Sequence, residues 1–85
     1  MQPDLVLMDL NMPLLDGVSA LSLIARRWPA ILIIALTSTV SEHNAALALE
    51  AGAVGYVLKR SRREDLLQAI AQVRLGKIYI DSGLD

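Results

Sequence analysis

The chain has 85 residues, 54% of them hydrophobic and 20% charged, with 8 basic against 9 acidic side chains and a formal net charge of -1. A chain of this size makes one small domain that buries only about 60 to 65% of its unfolded surface, and its balanced charge supplies no field that would draw it to nucleic acid or an anionic membrane. The lack of cysteine excludes a disulfide scaffold and a thiolate metal site, and the longest apolar run, from Ala30 to Leu36, is far short of the roughly 18 to 20 residues that span a bilayer.

At the start, Met1-Gln2-Pro3-Asp4 has no basic segment leading into an apolar one, so no signal peptide is read there and a cytoplasmic location is expected. Leu5-Val6-Leu7-Met8 is a first apolar run, and it ends in Asp9. After Asp16-Gly17, the apolar residues Val18, Leu21, Ile24, Ala25 and Trp28 fall at helical spacing, and Pro29 closes that helix. Ile31-Leu32-Ile33-Ile34-Ala35-Leu36 is a second apolar run, ending in Thr37. From Ser41 to Ala51 the chain is rich in Ala and Leu and is predicted helical, with Gly52 where a carboxyl cap wants a left-handed residue. Val54-Gly55-Tyr56-Val57-Leu58 is the third run and ends in Lys59. A last helix opens with the capping-box spelling Ser61-Arg62-Arg63-Glu64, continues through Leu66, Leu67, Ile70, Ala71 and Val73, and stops at Gly76.

Continuous rather than alternating apolar runs are how strands covered on both faces read. The order is therefore βαβαβα followed by a short tail, which predicts an α/β fold: a small parallel sheet flanked by helices through right-handed crossovers.

In such a sheet, ligands sit outside the carboxyl ends of the strands, where a carboxylate, a hydroxyl and an ammonium would converge. The separations from Asp9 to Thr37 and from Thr37 to Lys59 each fit one helix and two loops. A carboxylate there can attack phosphorus, a hydroxyl can hydrogen-bond a phosphoryl oxygen, and a lysine can neutralise the charge that accumulates. Each residue also has a plainer reading. Asp9 alone serves as a turn residue, Thr37 as an ordinary strand residue, and Tyr56 as packing; a lysine ending a buried strand, by contrast, needs a partner. Asp16-Gly17 is read as a helix start and Met12-Pro13 as loop-shaping. His43, the one histidine, is read as solvated, and Arg60, Arg62 and Arg63 as a solvated helix start.

The run from Pro3 through Asp9-Leu10-Asn11-Met12-Pro13-Leu14-Leu15-Asp16-Gly17 resembles the phosphoacceptor segment of bacterial two-component response-regulator receiver (CheY-like) domains, which have a flavodoxin-like fold. The similarity continues through Leu36-Thr37-Ser38, Ala51-Gly52-Ala53 and Gly55-Tyr56-Val57-Leu58-Lys59. The resemblance implies that a sensor histidine kinase phosphorylates Asp9 and that the Asn11 carbonyl, with Asp9, ligates Mg²⁺. It also implies that Thr37 is the switch hydroxyl, Lys59 the phosphate partner and Tyr56 an aromatic that changes rotamer on activation. Receivers are regulatory modules, so no enzyme acting on a metabolite is expected.

Arg60 stands where many receivers have proline. With Gly76-Lys77-Ile78-Tyr79-Ile80 after the last helix, it makes the chain similar to the subgroup joined to a LuxR/NarL-type helix-turn-helix domain. Transcription is then the expected output, and DNA would be met only through that other domain. The family's first strand, first helix and second strand, with two acidic Mg²⁺ ligands, have no counterpart here, so residues 1–85 are expected to be a partial receiver. Mg²⁺ is then expected to bind weakly or not at all, which puts phosphorylation of Asp9 in question. In the family's strand order 2-1-3-4-5 the loss leaves the strand of residues 4 to 9 at an edge, an invitation to self-association. Two alternative readings follow: a phosphorylation-incompetent dimerisation module, and a haloacid-dehalogenase-like phosphatase fragment. The second is disfavoured because Asn11 stands where the general acid would be.

Overall fold

The computed structural model describes residues 4–10, 17–38 and 42–81. The elements run β1 (Leu5–Asp9), α1 (Gly17–Arg27), β2 (Leu32–Thr37), α2 (Glu42–Ala51), β3 (Gly55–Leu58), α3 (Arg63–Arg74) and β4 (Tyr79–Ile80). All pairings are parallel and the strand order is β1-β2-β3-β4, with Leu5 opposite Leu32, Ile34 opposite Gly55 and Gly55 opposite Tyr79. The α/β class and the three helices agree with the reading of the sequence. The short tail does not remain a tail: Tyr79 and Ile80 add a fourth strand, too short for its periodicity to announce it.

Alternation along β2 explains why its apolar run is unbroken. Ile33 and Ala35 face one core layer with Leu21 of α1, Ala45 and Ala48 of α2, Ala53 and Tyr56. Ile34 faces the other with Val57 and with Ala69 and Val73 of α3. Both sides of the strand are therefore covered, as a parallel sheet requires. On α3 the buried stripe is narrower than its apolar content suggests. Ala69 and Val73 are buried and Leu66 and Ile70 partly so, whereas Leu67 is 55% exposed and Ala71 points outward. A helix packed on a sheet through one face leaves the residue next to Leu66 on the far side.

Two helices end in the same way. Gly52 N–H donates to Leu49 O at 3.1 Å and Ala53 N–H to Ala48 O at 3.0 Å, with Gly52 at φ 125°. Gly76 N–H donates to Val73 O at 3.1 Å and Lys77 N–H to Gln72 O at 3.2 Å, with Gly76 at φ 85°. Each is a Schellman arrangement closed by a glycine at positive φ. The start of α3 departs from its spelling. The cap is Arg62, whose N–H donates to Asp65 Oδ2 at 3.3 Å while Asp65 N–H donates to Arg62 O at 3.0 Å. The Ser61–Glu64 box expected from the sequence is thus shifted by one residue, because the Ser61 hydroxyl is engaged by Asp81 instead.

Among the described residues β1 lies at an edge of the sheet, and Leu7 is 41% exposed. No helix of the described residues is long and apolar enough to cross a membrane.

The two glycine caps differ in what surrounds them. A Cβ on Gly52 would stand 2.5 Å from Ala25 Cβ, whereas one on Gly76 would meet nothing within 4 Å. Gly76→Ala is expected to lower stability by about 1 kcal/mol from backbone strain alone, and Gly52→Ala by about 2 to 4 kcal/mol because overpacking against α1 adds to it. Urea unfolding of the two variants measures the difference, and equal losses would contradict the close α1–α2 approach.

Candidate functional site

The register brings the strand ends together in steps. Asp9 lies opposite Leu36, so Thr37 is one residue beyond it; Thr37 lies opposite Leu58, so Lys59 is one residue beyond that. Backbone bonds carry the sheet to this limit. Leu10 N–H donates to Leu36 O at 2.9 Å and Lys59 N–H donates to Thr37 O at 2.7 Å.

Asp9 and Lys59 meet directly: Lys59 Nζ is 2.6 Å from Asp9 Oδ2. Alternation sets Asp9 with Leu5 and Leu7, and Lys59 with Val57, on the α3 side of the sheet. The lysine stem can therefore reach along that face to the carboxylate two strands away. The two side chains are 39% and 42% exposed, so solvent screens the pair, and its worth is about 0.2 to 1 kcal/mol.

Thr37 sits at the same sheet end but on the other face, with Ile33 and Ala35, and is only 2% exposed. Tyr56 lies on that face too, fully buried in a cluster that includes Ala35, Ala45, Ala48 and Ala53. Alanines leave the volume its ring fills. Its hydroxyl has no hydrogen-bond partner among the described residues. A buried unpaired hydroxyl costs about 1 to 3 kcal/mol, so this position of Tyr56 is held by packing against a polar penalty.

One residue at this edge carried no signal in the sequence. Asp81, just past β4, is 6% exposed and accepts hydrogen bonds at Oδ2 from Leu58 N–H at 3.2 Å and from the Ser61 hydroxyl. Its own N–H donates to Tyr56 O at 2.9 Å. Burial pushes the neighbouring Tyr79 phenol above its ordinary 10.0, and the charges of Asp81 and then Asp65 add to the rise. A signal was available only once β4 was known to pair with β3, since an Asp after an apolar tail is otherwise an ordinary turn residue.

Asn11, Met12, Pro13, Asp16 and Ser41 lie outside the described residues. No group of three or more His, Cys, Asp or Glu among the described residues could hold a metal ion. At the sheet edge Asp81 accepts from Leu58 N–H and the Ser61 hydroxyl, whereas the Asp9 side chain is 42% exposed.

A family model described as the response regulator receiver domain matches residues 1–71. The chain is 39% identical over 83 residues to the uncharacterized transcriptional regulatory protein YhcZ of Bacillus subtilis (strain 168), covering 98% of this chain and 38% of the relative. It is 34% identical over 84 residues to the nitrate/nitrite response regulator protein NarL of Escherichia coli (strain K12), covering 99% and 39%. It thus spans under two fifths of the length of these relatives. Among solved structures it is similar to a two-component response regulator of the LuxR family from Aurantimonas sp. SI85-9A1, with a TM-score of 0.88, 35% identity, and coverage of 96% of this chain and 59% of that one.

Replacing Tyr56 with Phe removes the orphan hydroxyl and keeps the ring. The variant is expected to be more stable than wild type by about 1 kcal/mol. A urea midpoint that falls instead would show that the hydroxyl is paired.

Proposed function

The chain belongs to the response regulator receiver domain family, and on that premise we propose that it is the phosphoacceptor module of a two-component regulator, with Asp9 taking a phosphoryl group from a histidine kinase. The observation that carries this reading is the contact of Lys59 Nζ with Asp9 Oδ2 at the carboxyl edge of the sheet. In this reading residues 1–85 are the part of a cytoplasmic receiver from its third strand onward, and transcription is controlled through a DNA-binding domain elsewhere in the parent protein. Relatives named as transcriptional regulatory and response regulator proteins support that output.

In the step proposed, an Asp9 carboxylate oxygen bonds to phosphorus as phosphorus leaves the donor nitrogen, and the departing imidazole takes a proton. The product is an acyl phosphate with roughly -1.5 to -2 charges by analogy with other phosphorylated side chains. Lys59 then exchanges a carboxylate for a phosphoryl oxygen, at little cost because the exposed ion pair it gives up is weak. Thr37 would supply the hydroxyl that follows the phosphoryl group, and Tyr56 would move with it, losing its buried orphan hydroxyl as it turns outward. Mg²⁺, the cation receivers use beside the acceptor, would find Asp9 and the Asn11 carbonyl as ligands, too few for tight binding. The module regulates and does not process a metabolite.

The test is the intact mass of the chain after incubation with acetyl phosphate, with and without Mg²⁺, alongside Asp9→Asn. A phosphoryl adduct in wild type that the variant lacks is the expected result. No adduct in wild type would overturn the phosphoacceptor reading for this chain.

A specific observation favours a second property, self-association. β1 is an edge strand among the described residues, its Leu7 is 41% exposed, and a recess of about 230 Å³ that includes Leu36, Val57 and Leu66 opens on the same face. An apolar edge of this kind pairs readily with another chain. Light scattering at high micromolar concentration is expected to report a dimer or larger species, and a monodisperse monomer would remove this property.

A further inference from the structure

We propose that Asp81 is the positioning residue that sets where Lys59 stands. The placement rests on geometry alone; its functional meaning rests on the phosphoacceptor reading of Lys59. In a regular parallel ladder, the Leu58 N–H would go to the backbone carbonyl of residue 81, because Asp81 N–H already donates to Tyr56 O. Instead the Asp81 side chain reaches across and takes that N–H at 3.2 Å. The carboxylate thus replaces its own carbonyl at the point where the ladder ends.

The same oxygen accepts from the Ser61 hydroxyl, and Ser61 N–H donates to Leu58 O at 3.0 Å, closing the turn that contains Lys59 and Arg60. On the opposite side of β3, Lys59 N–H is held by Thr37 O at 2.7 Å. Lys59 is therefore held from β2 through its own N–H, and its neighbours Leu58 and Ser61 are held from beyond β4. With both grips in place, the lysine stem leaves β3 at an angle that delivers Nζ to Asp9. Charge-assisted hydrogen bonds accepted by a 6% exposed carboxylate are strong enough to impose that constraint, and an Asp at this depth that takes a strand amide and a turn hydroxyl acts as an anchor.

The proposal is tested on the intact chain by limited acetylation with acetic anhydride, reading the modification of Lys59 relative to the exposed Lys77 by mass spectrometry. Asp9→Asn calibrates the assay, since loss of the ion pair should raise the Lys59-to-Lys77 ratio by about threefold. Asp81→Ala is expected to raise the ratio by the same factor. Asp81→Asn, whose amide oxygen can accept from both Leu58 N–H and Ser61, is expected to restore the wild-type ratio, which a mere loss of stability would not do. An unchanged ratio in a folded Asp81→Ala, or an Asn variant no better than the Ala variant, would overturn the proposal. Should Asp81→Ala not fold, Ser61→Ala decides: a smaller rise supports the placement and no rise refutes it. Because acetylation needs no phosphorylation, a wild type that takes no phosphoryl group but shows this pattern would sink the phosphoacceptor reading and leave the placement of Lys59 standing.

Discussion

Because β1, β2 and β3 run parallel and each is advanced one residue on the last, their ends form a staircase across the sheet, and this register decides what can meet at its carboxyl edge. Asp9, Thr37 and Lys59 are far apart in the chain but occupy successive steps. The alternation of side chains then divides them. Asp9 and Lys59 emerge on the α3 side and touch, whereas Thr37 emerges with Tyr56 on the side covered by α1 and α2. A shift of one residue in the β1–β2 pairing would move Asp9 to the other face and break the contact. The buried residues of β2, packed on both faces, are what make such a slip costly.

The resting arrangement is held by terms of unequal kind. The Asp9–Lys59 pair is solvent-screened and weak, and the buried Tyr56 carries a hydroxyl whose penalty offsets part of the gain from burying its ring. Neither is a lock. A small ligand that binds the two arrangements differently needs about 5.5 kcal/mol of difference to move a population from 1:99 to 99:1. A resting state that already includes an unpaired hydroxyl lowers what the ligand must supply. In the proposed reading one covalent phosphoryl group would supply that difference, its charge acting on a lysine that is cheap to redirect.

Much of this was legible in the sequence because parallel strands leave a strong mark. Leu5–Met8, Ile31–Leu36 and Val54–Leu58 each read as buried strands, and each ends in a residue of different chemistry. Gly52 and Gly76 marked the helix ends, since the Schellman cap makes a demand only glycine meets easily. Two features were not legible, and both trace to β4. Two residues cannot show a period, so Tyr79 and Ile80 read as tail. Without β4 there was no reason to connect Ser61 with Asp81, and the local spelling of a capping box on Ser61 and Glu64 prevailed over a contact twenty residues away. A hydroxyl satisfied at long range cannot also cap its own helix, and the cap passed to Arg62 and Asp65.

Two carboxylates reach the carboxyl edge of this sheet, and their burial assigns them different work. Asp81, 6% exposed, has spent its Oδ2 on a strand amide and a loop hydroxyl. Freeing it for a cation or a phosphoryl group would uncap β3 and loosen the turn that carries Lys59. Asp9 keeps 42% of its side chain in solvent, with a partner that water already screens. A nucleophile must be approachable and a positioning residue must not be, so the accessible carboxylate suits attack on phosphorus and the buried one suits holding the lysine that attends it.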